Sequence, residues 1–294
     1  MSGFMAQFPK KGCALITGAG GRLGKLLRAA RDLKPYLHHE MVFQSRVGGA
    51  DIQWSPGDSF DTLPRADAVI ALWGRTSGSE EDLADNARLA RLSSEMAVGT
   101  GATRIMHIST AAVYGPGRMM NEAHPTNTSN LYGKSKIDME TKIAALRDDM
   151  GLTHICLRLA NVVGADSLAP ARRSPGAATI DMFNADTDAP KGPRRSYIGA
   201  GDLLGVFDRL LSLPAETWPD VLNVACPKPI SMDALIRAAN KDVIWRPAPA
   251  SATAEVTLDA SRLLTLLPSL TFRTTASALI EEWQCLESHR ESLA

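Results

Sequence analysis

The chain has 294 residues, with 32 Lys plus Arg against 32 Asp plus Glu, so its formal net charge is zero. That balance leaves no surplus of cations to neutralise phosphates, which argues against a nucleic-acid partner. Its 45% hydrophobic and 22% charged residues exclude a disordered or fibrous chain. The length suits one large domain, or a large one carrying a smaller lobe, with a core that needs no metal or disulfide staple.

Cys13, Cys156, Cys226 and Cys285 form no C-x-x-C pair and read as free thiols of a reducing compartment. The histidines include one adjacent pair, His38-His39, and no H-E-x-x-H, so no metal site is expected. No apolar run approaches the ~18 residues of a membrane span. The run after Lys10-Lys11 is too short for a signal peptide and leads into a glycine-rich turn. These features predict a cytoplasmic protein with neither membrane nor nucleic-acid partners.

In chain order, nearly continuous apolar runs at 13–17, 41–45, 68–72, 104–109 and 153–158 read as strands buried on both faces. Helical patterns at 22–33, 80–98 and 131–149 lie between them. The alternation predicts an α/β fold: a Rossmann-type, doubly wound parallel sheet with right-handed crossovers. From 165 to 195 the pattern gives way to Pro170, Pro175, Pro190 and Pro193 among Arg172, Arg173, Lys191, Arg194 and Arg195. A loop that long is usually functional or disordered. Beyond it come a helix near 202–212, a strand at 221–225, and helices at 231–240 and 275–288. The expected division is a dinucleotide-binding domain over 1–164, with elements returning near 196–225. A smaller substrate-binding lobe takes most of 165–294.

Thr17-Gly18-Ala19-Gly20-Gly21-Arg22-Leu23-Gly24 follows the first strand and opens the first helix. Glycines there allow a tight turn and close approach to a pyrophosphate, while N–H groups of the helix start meet its charge. The spacing is G-x-x-G-x-x-G on Gly18, Gly21 and Gly24, with Leu23 breaking the commoner G-x-G-x-x-G. A phosphate loop of the G-K-[ST] kind is excluded, since Leu26 follows Lys25. The second strand ends in Gln44-Ser45-Arg46 without the carboxylate that usually holds an adenosine ribose. Arg46 and Arg22 suit a 2′-phosphate, so the pattern leans to NADP over NAD.

Tyr132 and Lys136 stand four residues apart, on one face of a helix. A nearby ammonium favours phenolate, making a tyrosine usable in proton transfer. Ser109 and Thr110 end the strand upstream, where carboxyl ends of parallel strands face the ligand crevice.

With these motifs together the sequence resembles the extended short-chain dehydrogenase/reductases of the nucleotide-sugar epimerase/dehydratase family. The resemblance runs through T-G-x-x-G-x-x-G at 17–24, Gly57-Asp58, D-x-V-I at 67–70 and S-T-x-x-V-Y-G at 109–115. It continues through Y-x-x-x-K at 132–136 with Glu140, Arg158-Leu-Ala-Asn161-Val-Val-Gly164, Asn223-Val-Ala and the segment around Trp283. The resemblance implies a catalytic trio of Thr110, Tyr132 and Lys136, with Lys136 also on the nicotinamide ribose. It implies Asp58 on the adenine amino group, Asn86 near the cofactor, and Asn161 and Arg195 facing substrate phosphates or polar groups. A homodimer built on the helices at 80–98 and 131–149 is a further family expectation.

The departures narrow the reaction. Family members that dehydrate sugar nucleotides at carbons 4 and 6 carry an acid pair after the catalytic threonine. Ala111 and Ala112 stand there and move no proton. Ser196 and Gly199 replace the Asp and His that follow the family arginine, although Asp202 remains, and Trp73 occupies a position usually small. The stretch between Gly164 and Arg195 is short for an epimerase. The leading expectation is NAD(P)-dependent hydride transfer on a sugar or nucleotide-sugar hydroxyl or ketone, by an epimerase or reductase. The alternatives are a dehydrogenase of a small free sugar acid and a non-catalytic dinucleotide-sensing module.

Overall fold

The strands expected from the apolar runs pair into one parallel sheet. In the computed structural model these are β1 (Cys13–Ile16), β2 (Glu40–Ser45), β4 (Ala68–Ala71), β5 (Arg104–Thr110), β6 (Thr153–Leu159) and, from the later strand expected at 221–225, β7 (Val221–Val224), while β3 (Ile52–Gln53), too short to show in the sequence, extends the edge. Their order is β7-β6-β5-β4-β1-β2-β3, every neighbouring pair parallel. The structure describes residues 11–292 except 35, 147–149 and 184–190. Lys10, Pro190 and the last three residues of the helix expected over 131–149 therefore lie outside the described residues.

Side chains alternate across a strand, and the core divides accordingly. Ala14, Ile16, Ile70 and Met106 face one layer, whereas Leu15, Val69 and Ile105 face the other. The first layer is α1 (Arg22–Leu33), α4 (Ala200–Leu211) and α5 (Ala276–Ser292). The second is α2 (Glu80–Thr100) and α3 (Leu131–Leu146), which pack against each other. This two-sided burial is why the strand sequences read as continuous apolar runs.

The long loop expected at 165–195 needs correction. It contains a short helix, Ala169–Arg173, a strand, Ala178–Met182, and the strand Arg194–Arg195. These elements are too brief for periodicity to show, and they are completed by distant partners. Ala178–Met182 pairs with Val243–Pro247. Arg194–Arg195 sits between Ile230–Ser231 and Glu255–Leu258, and the latter pairs with Gly117–Met120. Since Gly117–Met120 leaves the end of β5 after one turn, this small sheet is tied directly to the carboxyl edge of the large one.

Buried polar pairs fix the periphery. Arg172 and Asp166 form a bidentate pair with side chains 0% and 1% exposed, against the Trp283 ring. The His38-His39 dipeptide grips α4: both backbone N–H groups and both Nδ1 atoms meet the Asp208 carboxylate at 2.7–3.1 Å. Burial alone would raise the pKa of Asp208, but the His39 and His38 hydrogen bonds outweigh it and hold the carboxyl well below its usual range. Among the described residues no cluster of three metal-ligating side chains occurs, and no helix is long and apolar enough to cross a membrane.

A depressed folded-state pKa contributes stability that is present above the unfolded carboxyl value and is lost as pH falls through the folded one. Asp208→Ala should therefore cost about 2–4 kcal/mol at neutral pH. Its deficit against wild type should narrow only in strong acid, below about pH 4, as followed by denaturant melts across pH.

Candidate active site

The turn after β1 is shaped by close backbone approach. Gly18 has φ +77°, and a Cβ there would lie 2.9 Å from the Trp73 amide nitrogen. A Cβ on Gly24 would fall 2.5 Å from the Gly18 carbonyl oxygen, so α1 can start only where it does because both residues are glycine. At Gly21 a Cβ would meet only the Gly18 carbonyl, at 3.4 Å, so this side of the turn stays open.

The two helix starts differ in a telling way. Ser79 and Asp82 close a capping box on α2, whose first turn holds three acids. The N-cap of α1 is Gly21, with no side-chain cap and no acid in the first turn. Its N–H groups and positive dipole end are left for an external anion. The open turn and uncapped helix fit a dinucleotide pyrophosphate.

Around the turn, Thr17 is fully buried and its Oγ1 accepts from the amides of Leu72 and Trp73 at 3.2 and 3.4 Å. It therefore clamps β1 to the end of β4. Leu23 packs on the core, while Arg22 and Arg46 are exposed at the ends of the turn and of β2. Asp58 is exposed and accepts the Ser55 amide at 2.7 Å. Trp73 turns its indole to Ser93 of α2, at 2.7 Å, and lies 6.2 Å from the Trp54 ring.

At the carboxyl end of β5, Thr110 caps the 3₁₀ turn Ala111–Val113 and accepts the Ala112 amide at 3.2 Å. The Thr110 hydroxyl is near enough to the Tyr132 phenol to favour its ionised form. Gly133 permits this meeting: a Cβ there would lie 2.5 Å from the Ala112 carbonyl oxygen. Lys136, 4% exposed, donates from Nζ to the Ile108 carbonyl at 2.8 Å. Thr110, Tyr132 and Lys136 are thus gathered on the last residues of one strand.

Their electrostatics depart from simple expectation. Burial pushes the Tyr132 phenol up to about 12, with the Thr110 hydroxyl working against it. The acidification expected from Lys136 does not govern the phenol. Lys136 is itself pulled down to about 8 by burial, against the favourable charges of Cys156 and Glu140.

Several other expected site residues are engaged by the protein. Ser109, 2% exposed, donates to Glu140 at 2.5 Å, on the strand face opposite Thr110. Glu140 pairs with Arg158 at 2.7 Å, Arg158 donates to the Tyr114 hydroxyl at 2.9 Å, and Tyr114 donates to Asn223 at 2.8 Å. Glu140, Arg158 and Asn223, each part of a family-like motif, form one buried network that no local pattern in the sequence links. Arg195 gives its guanidinium to the carbonyls of Arg194, Thr253 and Ala254. Asn161 is half-buried, and its backbone N–H donates to the Ser196 carbonyl. The Asn86 side chain bonds Arg75 and Ser135.

The sequence model described as the NAD dependent epimerase/dehydratase family matches residues 14–225. No curated protein matches the sequence. Among solved structures, MoeE5 in complex with UDP-glucuronic acid and NAD superposes with a TM-score of 0.76 at 17% identity, covering 94% of this chain and 99% of that one. UDP-glucose 4-epimerase from Brucella ovis, in complex with NAD, gives 0.75 at 18%, covering 92% and 96%. The NDP-hexosamine 5,6-dehydratase TunA gives 0.74 at 19%, covering 95% and 98%. At these identities the likeness is one of fold.

Ultraviolet difference titration of wild type against Tyr132→Phe should show the missing phenol ionising near pH 12, above free tyrosine. If the phenol missing in that variant titrates below 10, the ammonium is in control.

Proposed function

This chain belongs to the NAD-dependent epimerase/dehydratase family, and from that premise we propose an NAD(P)-dependent oxidoreductase or epimerase acting on a sugar or nucleotide sugar. The observation that carries the reading is the gathering of Tyr132 and Lys136 of α3 at the carboxyl end of β5, where Lys136 Nζ donates to the Ile108 carbonyl and the Tyr132 phenol lies near Thr110. A bound nicotinamide supplies the hydride donor or acceptor. The residues of the chain supply binding, orientation and proton transfer.

In this reading Gly18, Gly21 and Gly24 with the first turn of α1 hold the pyrophosphate, and Asp58 receives the adenine amino group. Arg22 and Arg46 favour a 2′-phosphate, since no carboxylate ends β2. Lys136 bonds the nicotinamide ribose. Tyr132 takes the proton of a substrate alcohol or returns one to a ketone, and the Thr110 hydroxyl fixes that oxygen. Asn161 offers a polar contact to substrate. Ala111 and Ala112 provide neither acid nor base, so dehydration at carbons 4 and 6 is not proposed. A homodimer would use the outward faces of α2 and α3, where Val98 and Leu131 are 52% and 47% exposed.

A second reading, oxidation of a small free sugar acid, is favoured by the arginines of the smaller lobe. Arg172 pairs with Asp166, Arg173 with Glu287, Arg194 with Glu255 and Arg246 with Asp181. The Arg195 guanidinium lies on backbone carbonyls. Among the described residues these guanidinium groups already have anionic or carbonyl partners, and the positive charge left suits a single carboxylate better than a diphosphate.

A screen of UDP-sugars, free aldoses and uronates, read by NAD(P)H absorbance and by product epimer, separates these readings. Tyr132→Phe should lower kcat by about 10²–10⁴-fold with NAD(P)H still bound. Unchanged turnover would remove the proton-transfer assignment. Arg46→Ala should weaken NADPH by about tenfold and leave NADH unaffected; equal loss for both would remove the 2′-phosphate assignment.

A further inference from the structure

The strand Tyr197–Ile198 lies parallel to Asn161–Val162, and the backbone N–H groups of Asn161 and Val163 donate to the Ser196 and Ile198 carbonyls at 3.2 and 3.1 Å. On its other side the Tyr197 carbonyl accepts the Cys226 amide at 2.8 Å. The chain then passes at once into Gly199, the N-cap of α4, which has no side chain to offer the helix start. First-turn N–H groups need a partner from elsewhere. Glu282 of α5 stands there. Its side chain is 7% exposed, and a Cβ on either Gly199 or Gly201 would overlap its carboxylate oxygens. The Gly201 backbone N–H is near enough to favour the ionised carboxylate, as does the positive end of a helix.

The carboxylate is held in its turn. Arg273 Nη1 pairs with it at 3.0 Å and also with Asp202, whose Oδ2 accepts the Arg273 amide at 2.9 Å. Lys34 of α1 donates from Nζ to the Gly201 carbonyl at 2.7 Å. Two cations and two carboxylates, drawn from α1, α4, α5 and the segment before α5, thus close around a single turn. Burial pushes the Glu282 carboxyl up, and Arg273 works against it. This seat also gives a reason for Gly199, which stands where the family pattern has a histidine. A side chain at 199 and the Glu282 carboxylate would claim the same space.

We propose that Glu282 is a positioning residue: seated on the first turn of α4, it fixes the far end of the strand Tyr197–Ile198, and through that strand the backbone that carries Asn161. The use of this link rests on the reading above, in which Asn161 meets substrate.

The test is amide hydrogen exchange of the full chain with neither cofactor nor substrate. In Glu282→Ala, exchange should quicken roughly tenfold at 200–203 and also at the amides of Asn161 and Val163. Gly199→Ala, which keeps Glu282 in the chain but displaces its carboxylate, should do the same, and carries the test if Glu282→Ala does not fold. Glu282→Gln keeps an oxygen at the helix start and should hold Asn161 and Val163 within about threefold of wild type. If 200–203 quicken while Asn161 and Val163 do not, Glu282 is a helix cap alone and the positioning role is overturned. Quickening that reaches Ala68–Ala71 to the same degree in both alanine variants would mean a general loss of stability and overturn it too. Failure of every sugar to support hydride transfer would instead remove the reading above and leave these exchange rates unchanged.

Discussion

The arrangement turns on a charge placed where charges are costly. Lys136 sits at the seam between α3 and β5, 4% exposed, with its Nζ on the Ile108 carbonyl. An ammonium taken from water needs partners, and here they are backbone and neighbouring side chains of one strand end. Burial draws it down to about 8 and raises Tyr132 to about 12. The same desolvation thus moves the two groups apart, the cation toward neutrality and the phenol away from ionisation.

Small residues set the distances around it. Gly133 lets α3 come down on the Ala112 carbonyl, bringing Tyr132 to Thr110. Gly18 and Gly24 let the first helix close on its own turn. Each contact would require displacement if a methyl group were added, so the site is shaped as much by missing side chains as by those present. Beneath it, Ser109, Glu140, Arg158, Tyr114 and Asn223 link β5, α3, β6 and β7 through hydrogen bonds in a low-dielectric interior. Such a network tolerates little rearrangement, since any member left alone would be a buried unpaired polar group.

The smaller lobe follows a different logic. Its strands are two to five residues long and are completed by partners far along the chain. Its arginines find acidic partners, Arg172 buried on Asp166 and Arg173, Arg194 and Arg246 at the surface beside Glu287, Glu255 and Asp181. Gly117–Met120 joins this lobe to the strand that bears Thr110.

What the sequence determined by itself was the large sheet and its glycine turn. Runs such as Ala68–Ala71, buried throughout, carry their environment in their composition, and the first helix was legible from 22 to 33 as it stands. The Tyr132–Lys136 spacing placed both on α3 because helical periodicity is local. What only the tertiary structure decided was which polar groups are already occupied. Ser109, Asn86 and Arg195 looked available to ligands, yet their partners Glu140, Arg75 with Ser135, and the carbonyls at 253 and 254 come from other elements. A hydrogen bond across 31 or 58 residues leaves no periodic trace in the chain. The sign of the Tyr132 shift was hidden for the same reason: desolvation depends on everything that packs around a group, whereas spacing reports only its nearest helical neighbours.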